Sequence, residues 1–323
     1  MAWLASALPL LEREYSYWMT SPKAIAVYVS STGDNPTVLG PFVLNRYFVQ
    51  AHGPRPESYR EDLATAQSPE ACAWVRASAK EVNGGTVIDE AAAAQAVYGE
   101  LATAAESGWD FSSRWMTRTP KLSTNGLSEG SAPEDPSSAL RFPLGSSRPT
   151  QCVPVDLNCI LLKVEEILAR AHTIIADAAV ASIVDADATA GSKQAYDVES
   201  SRTAASRFEA HALARRQAIE AVLWDNTAGR WRDAWLEAYR GDRGCTKAAE
   251  GTLSAEEPIA TTLQSFCTVS TVADVSPEDA LPAATQAAVN RGVAVPLTTL
   301  PFLSDFVPLW AGLADDSGSR QER

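Results

Sequence analysis

The chain has 323 residues, 46% of them hydrophobic and 21% charged, enough to bury a sizeable core as one large domain or two. Its 27 basic and 40 acidic residues give a net charge of −13, which argues against nucleic acid or an anionic membrane as the main partner. His52, His172 and His211 stand far apart, so no metal site is expected. Cys72, Cys152, Cys159, Cys245 and Cys267 form no C-x-x-C pair and read as free thiols, and no cofactor is implied.

The first residues are mildly apolar but lack a basic n-region. They read as a helix rather than a signal peptide, which makes the cytoplasm the default compartment. No apolar run approaches a membrane span. Leu8, Leu11, Tyr15 and Trp18 follow helical spacing over residues 8–19. Pro9 is tolerated in a first turn, so the helix is expected to start near it and to end by Ser21-Pro22. Residues 25–30 and 37–44 are rich in β-branched side chains and bracket Gly33-Asp34-Asn35-Pro36, which predicts a short hairpin.

Residues 53–62 read Gly-Pro-Arg-Pro-Glu-Ser-Tyr-Arg-Glu-Asp. Ser58 and Glu61 have the spacing of a capping box, predicting a helix to about Ala66. The flanking prolines stiffen the backbone, and Arg55 before Pro56 is pushed towards an extended conformation. Arg55 and Glu57 are thereby held as a ligand-reading pair requires. A rigid surface turn with an exposed Arg–Glu pair has the same sequence.

Asp89 is placed to cap an Ala-rich helix through Ser107, with Ala93, Val97, Leu101 and Ala105 on its buried face and Tyr98 beside it. Gly108 suits the left-handed residue just past the end. The next residues set Asp110 between Trp109 and Phe111. An aromatic cage around a carboxylate disfavours its charged form, and a carboxyl that keeps its proton can protonate a glycosidic oxygen. The competing reading is a capping Asp with core aromatics. Nine Trp suit stacking on carbohydrate, although most read as core.

Residues 120–150 are rich in Ser, Pro and Gly and read as a loop. Asp156 opens a helix with an apolar stripe of Leu157, Ile160, Leu161, Val164, Ile167, Leu168 and Ala171. Lys163, Glu165, Glu166 and Arg170 are placed on the opposite face. A second long helix spans about 199–223, with Phe208, Ala212, Ile219 and Leu223 inward. A turn over 225–229 leads to an extended segment around Trp231 and Trp235. Residues 245–300 lose periodicity, and the part 251–300 reads as a low-order insertion between residues 1–250 and a short segment 301–313. Residues 314–323 form a polar tail. Long amphipathic helices in succession predict a mostly α protein.

Two long motifs, Pro-Arg-Pro-Glu-Ser at 54–58 and Gly-Trp-Asp-Phe-Ser-Ser-Arg-Trp at 108–115, resemble those of trehalases, the inverting glycosidases that split α,α-trehalose into two glucoses. Matching segments follow in the family's order: Leu-Asn-Arg-Tyr at 44–47, Val-Pro-Val-Asp-Leu-Asn at 153–158, Leu-Trp-Asp at 223–225 and Phe-Val-Pro-Leu-Trp-Ala-Gly at 306–312. The resemblance covers roughly residues 8–250 and 302–313, the central part of the family's catalytic domain. It implies an (α/α)6 barrel, incomplete here, with a small β-hairpin as decoration. It further implies trehalose as the small-molecule partner, Asp110 as general acid, and Arg55, Glu57, Gly108 and Trp109 as substrate-binding residues. The family's glycine-rich run leading to its catalytic Glu has no match, so no base is assigned and Glu61 and Asp62 are not promoted to it. Three readings stand: a hydrolase of the trehalase kind, a non-catalytic sugar-binding remnant, and a structural all-α protein. Asp110, Arg55 and Glu57 are expected to converge on one pocket.

Overall fold

In the computed structural model the described residues are 2–30, 38–72, 74–75, 90–117, 144–185, 191–226, 228–238, 266–269 and 302–313. Helix α1 spans Ala2–Trp18 and carries Pro9 in its interior. The helix thus begins a full two turns before the start read from Pro9. Leu4 and Leu8, one turn apart, both pack on the core, and that burial offsets the backbone hydrogen bond a proline cannot make.

Strands β1, Ala24–Ser30, and β2, Val38–Asn45, pair antiparallel as the predicted hairpin, with Ala24 opposite Asn45; its turn lies outside the described residues. A single 3-10 turn, Pro56–Ser58, leads into α2, Tyr59–Ala66. The expected capping box does not form, because Ser58 belongs to that turn and its side chain caps nothing. Helix α3, Glu90–Glu106, buries Val97, Tyr98 and Leu101 as expected; its proposed cap, Asp89, lies outside the described residues.

Of the predicted 120–150 loop, residues 144–150 are described, and they are packed rather than loose. Two 3-10 turns, Leu144–Ser146 and Pro149–Gln151, are tied down by Thr117 N donating to the Ser146 carbonyl at 3.0 Å and Arg148 N to that of Trp115 at 2.7 Å. Strand β3, Cys152–Val153, runs into the long helix α4, Val155–Asp185, and α5 follows at Gly191–Leu223. Glu165 meets Arg215 and His172 stacks on Phe208, so the two helices run antiparallel along their length.

The stripe read on α4 is partly rotated. Leu157, Leu161, Leu168 and Ala171 are buried, whereas Ile160 and Ile167 are exposed and Glu165 is only 1% exposed. Glu165 takes the inner position because Arg215 Nε at 2.9 Å and the Tyr15 hydroxyl at 2.8 Å donate to it there. Burial pushes the Glu165 carboxyl upward, against the charge of Arg215.

Strands β4, Trp224–Asp225, and β5, Arg230–Trp231, form a separate pair. Strands β6, Ala234–Ala238, and β7, Phe266–Val269, complete a five-stranded sheet of order β2-β1-β7-β6-β3 in which β1 and β7 are parallel. The strand content therefore exceeds the hairpin read from the sequence, though the described residues are mostly helical. The interior strand β1 is buried from Ala24 to Val27, as a strand flanked on both edges and packed by α5 must be. Apart from β7, the segment 251–300 lies outside the described residues. A last 3-10 turn, Leu303–Phe306, and the short α6, Val307–Trp310, deliver Ala311 and Leu313 into the core beside Ile219, Leu223 and Trp231. Among the described residues no helix is long and apolar enough to cross a membrane.

Candidate active site

Arg55 has the extended backbone that the following proline imposes, φ −65° and ψ 137°. Its backbone N and Nε both donate to Asp62 Oδ2 at 2.9 Å, and Nη2 donates to Asp62 Oδ1 at 2.8 Å. Asp62 lies one turn into α2 and is buried. The carboxylate thus closes a ring over seven positions and fixes the guanidinium plane by a fork that a lysine has no geometry to copy. These hydrogen bonds hold the Arg55 guanidinium above its usual range, and the charges of Glu57 and Asp110 act on it in the same sense. Glu57 is exposed in the single 3-10 turn that follows.

The second segment starts where α3 ends. Glu106 accepts from Phe48 N at 3.0 Å and Thr103 Oγ1 from Val49 N at 2.9 Å, which pins the last turn of α3 to the strand exit. Gly108 then has φ 71°, the left-handed conformation its sequence position called for. Ser112 N donates to the Trp109 carbonyl at 3.1 Å, closing a tight turn with Asp110 as its second residue. Asp110 has φ 36° there, a conformation that primed turns require and that L-residues adopt under strain.

This geometry overturns the aromatic cage. Asp110 is exposed, because in a tight turn consecutive side chains diverge. Trp109 is turned inward, and its indole N–H donates to Asp156 Oδ2 at 2.8 Å. Phe111 goes to the other segment, with the Arg55 guanidinium 5.0 Å from its ring centre. The two motifs, about fifty positions apart, therefore meet at Arg55 and Phe111, next to Asp110.

Beneath the turn lies a buried ion network. Arg114 donates from Nη1 and Nη2 to Asp156 at 2.8 Å, and from Nε and Nη2 to Asp233 at 2.6 and 2.7 Å. Side-chain exposure is 0% for Arg114, 5% for Asp156 and 9% for Asp233. Asp156 Oδ1 also accepts from Leu157 N, and Asp233 Oδ1 from Val155 N, so both carboxylates are anchored to the first turn of α4. Burial works to raise the Asp156 carboxyl, and the hydrogen bonds and charge of Arg114 more than offset it, leaving it below the usual carboxylate range. Among the described residues no three His, Cys, Asp or Glu side chains are grouped to hold a metal ion.

The trehalase family model matches residues 1–256. The chain belongs to the trehalase family. Trehalases are (α/α)6 barrels, which accords with the mostly helical fold and the α4–α5 hairpin. The chain is 33% identical over 237 residues to a putative periplasmic trehalase of Salmonella typhi, covering 72% of this chain and 29% of that protein. It is 34% identical over 233 residues to a periplasmic trehalase of Salmonella paratyphi B, with 71% and 29% covered. A periplasmic trehalase of Salmonella agona is 32% identical over 249 residues, with 76% and 31% covered. The chain thus spans about three-tenths of the length of these relatives.

In this trehalase-family chain, the site residues read from the sequence do not include Asp62, Arg114, Asp156 and Asp233, which hold the two motif segments of the candidate site in place. Asp62 was legible, since an Asp one turn into a helix can reach back to an Arg seven positions earlier. The partnership of Arg114 with Asp233, 119 positions apart, leaves no local signal.

Proposed function

We propose that this chain binds α,α-trehalose and carries the acid side of its inverting hydrolysis, with Asp110 as general acid. The observation that carries the proposal is the meeting of the two family motifs: an Arg55 fork locked by Asp62, set against Phe111, beside the outward carboxylate of Asp110. The contacts to Asp62 use Nε and Nη2 of Arg55, which leaves Nη1 as a charge-assisted donor for a sugar hydroxyl. Glu57 supplies a hydroxyl acceptor, the Gly108 backbone approaches the sugar closely, and the open face of Trp109 walls the pocket. Asp110 protonates the bridging oxygen as the glycosidic bond breaks. In an inverting mechanism a base on the opposite face, with carboxyl groups roughly 6.5–9.5 Å apart, activates water. That base is not assigned to any residue of this chain.

A second reading is that the chain binds the sugar without cleaving it, and the exposure of Asp110, which no aromatic pair encloses, favours this reading. Glucose release from trehalose and trehalose affinity by calorimetry separate the two. Release abolished by Asp110→Asn supports the hydrolase. Binding lost in Arg55→Ala, without any glucose release by the parent chain, supports the sugar-binding reading. No binding and no release by the parent chain would sink both.

A further inference from the structure

The turn that presents Asp110 is held from several sides. Trp109 N donates to Ser107 Oγ at 3.0 Å, and Arg114 N to Ser112 Oγ at 3.2 Å. Two side chains of the loop, the indole of Trp109 and the guanidinium of Arg114, share one acceptor, Asp156. Asp156 cannot follow the loop, because it opens α4 and accepts from Leu157 N at 2.8 Å. Between these fixed points stands the only non-glycine residue with positive φ among the described residues, Asp110. Asp enters the left-handed region more readily than most L-residues, but its Cβ still costs it energy there, and such conformations persist where the surroundings over-determine them. Asp110 is exposed, so its own contacts do not supply that constraint.

We propose that Trp109 and Arg114 are positioning residues for Asp110. By gripping Asp156 from either side of the turn they keep its backbone in the strained conformation that turns the carboxyl outward beside Arg55. The proposal rests on the reading of Asp110 as the acid and extends the site to Arg114 and Asp156, which touch no substrate. Trp109 then acts in two ways, since the proposed function sets its ring against the sugar while the indole N–H is a tether. Proton transfer to a bridging oxygen depends steeply on where the acid stands, whereas binding of the sugar by Arg55 and Glu57 does not depend on this tether.

The test is a double-mutant cycle on the 323-residue chain, read as the urea midpoint of unfolding. Asp110→Gly removes the strain, since glycine accepts positive φ freely. Trp109→Phe keeps an aromatic ring and removes only the N–H that reaches Asp156. Asp110→Gly is expected to raise the midpoint in the parent chain and to raise it much less in the Trp109→Phe chain, where the turn has already relaxed. Equal rises in both backgrounds overturn the proposal. Trehalose turnover is the second measurement: Trp109→Phe is expected to lower kcat by roughly tenfold to a hundredfold, a larger factor than its change in KM. An unchanged kcat, or a loss confined to KM, overturns the positioning role. If the parent chain releases no glucose, the reading of Asp110 as a working acid in this chain fails, while the urea cycle still decides whether the tether strains the turn.

Discussion

Replacing Arg114 by Met isolates the energetic role of the ion network. Methionine has nearly the length of the arginine stem but neither the charge nor the five donors. The substitution removes the Arg114 contacts of 2.6–2.8 Å and leaves Asp156 and Asp233 buried and facing each other without a cation. An exposed ion pair is worth about 0–1 kcal/mol. Stranding a partner of a buried pair costs about 3–5 kcal/mol. The side-chain exposures of 0, 5 and 9% place this network in the second class. Measured against the roughly 5–15 kcal/mol of a typical domain, the loss is large.

The sign of the pH dependence sharpens the test. In the parent, the Asp156 pKa is below its unfolded value, so its contribution is present above about pH 4 and lost as pH falls. Without Arg114, burial, the largest influence, is opposed only by the hydrogen bonds from Leu157 N and the Trp109 indole, and the Asp156 pKa is expected to rise above the unfolded value. Stability is then lost as pH rises. The deficit of Arg114→Met relative to the parent should therefore widen from about pH 4 to about pH 7.5. Urea unfolding followed by Trp fluorescence at both pH values measures it. A deficit below about 1 kcal/mol at the higher pH, or an equal deficit at the two pH values, refutes the reasoning. Arg114→Lys keeps the charge without the fork and should lie between parent and Met, at a cost of about 1–2 kcal/mol. It carries the test if the Met chain does not fold.

Two further outcomes follow from packing and burial. A Cβ on Gly145 would stand 2.3 Å from Ser68 Oγ and 2.9 Å from Ala71 N, the pair that caps the following turn, so Gly145→Ala should cost about 1–3 kcal/mol; an unchanged urea midpoint contradicts this. Burial pushes the Asp305 carboxyl up to about 6, against the hydrogen bond it accepts from Phe302 N, so its ionisation opposes folding as pH rises from about 4 to about 6. Asp305→Asn should then gain on the parent across that window, by on the order of 1 kcal/mol once solvent screening is allowed for, and a pH-independent difference between the two chains would count against it.

Helix α4 shows why residue type alone misled where spacing did not. Glu165 lies four residues after Leu161 and three before Leu168, which is the buried face by geometry; its charge alone placed it outside. Ile160, Ile167 and Ile174 repeat every seven residues on a different face and are exposed, although their side chains are apolar. Local signals did better. The β-branched runs of β1 and β2, the proline-stiffened Arg55 and the left-handed Gly108 stand where the sequence put them, because each is settled by a few adjacent residues. The cage around Asp110 failed for the complementary reason: neighbours in sequence are not neighbours in a turn. The five-stranded sheet required β7, which pairs with β1 across more than two hundred positions, and no local pattern announces such a partner.

The two halves of the site solve one physical problem in the same way. A side chain that meets a substrate must remain reachable, so burial among its own partners is unable to fix it. Arg55 is fixed by a carboxylate behind it, Asp62, which occupies one edge of the fork and leaves the other. Asp110 accepts no such partner in front, and its position comes from its neighbours in the turn, whose side chains reach down to Asp156. In each case a buried aspartate near the start of a helix, Asp62 in α2 and Asp156 in α4, anchors an exposed or half-exposed group that carries the proposed chemistry. Helix starts suit this role, because their free backbone N–H groups stabilise a carboxylate and their position is set by the packing of the whole helix. The strain at Asp110 is then the cost of reach, and it falls on the residue whose substitution should leave the fold more stable and the chemistry lost.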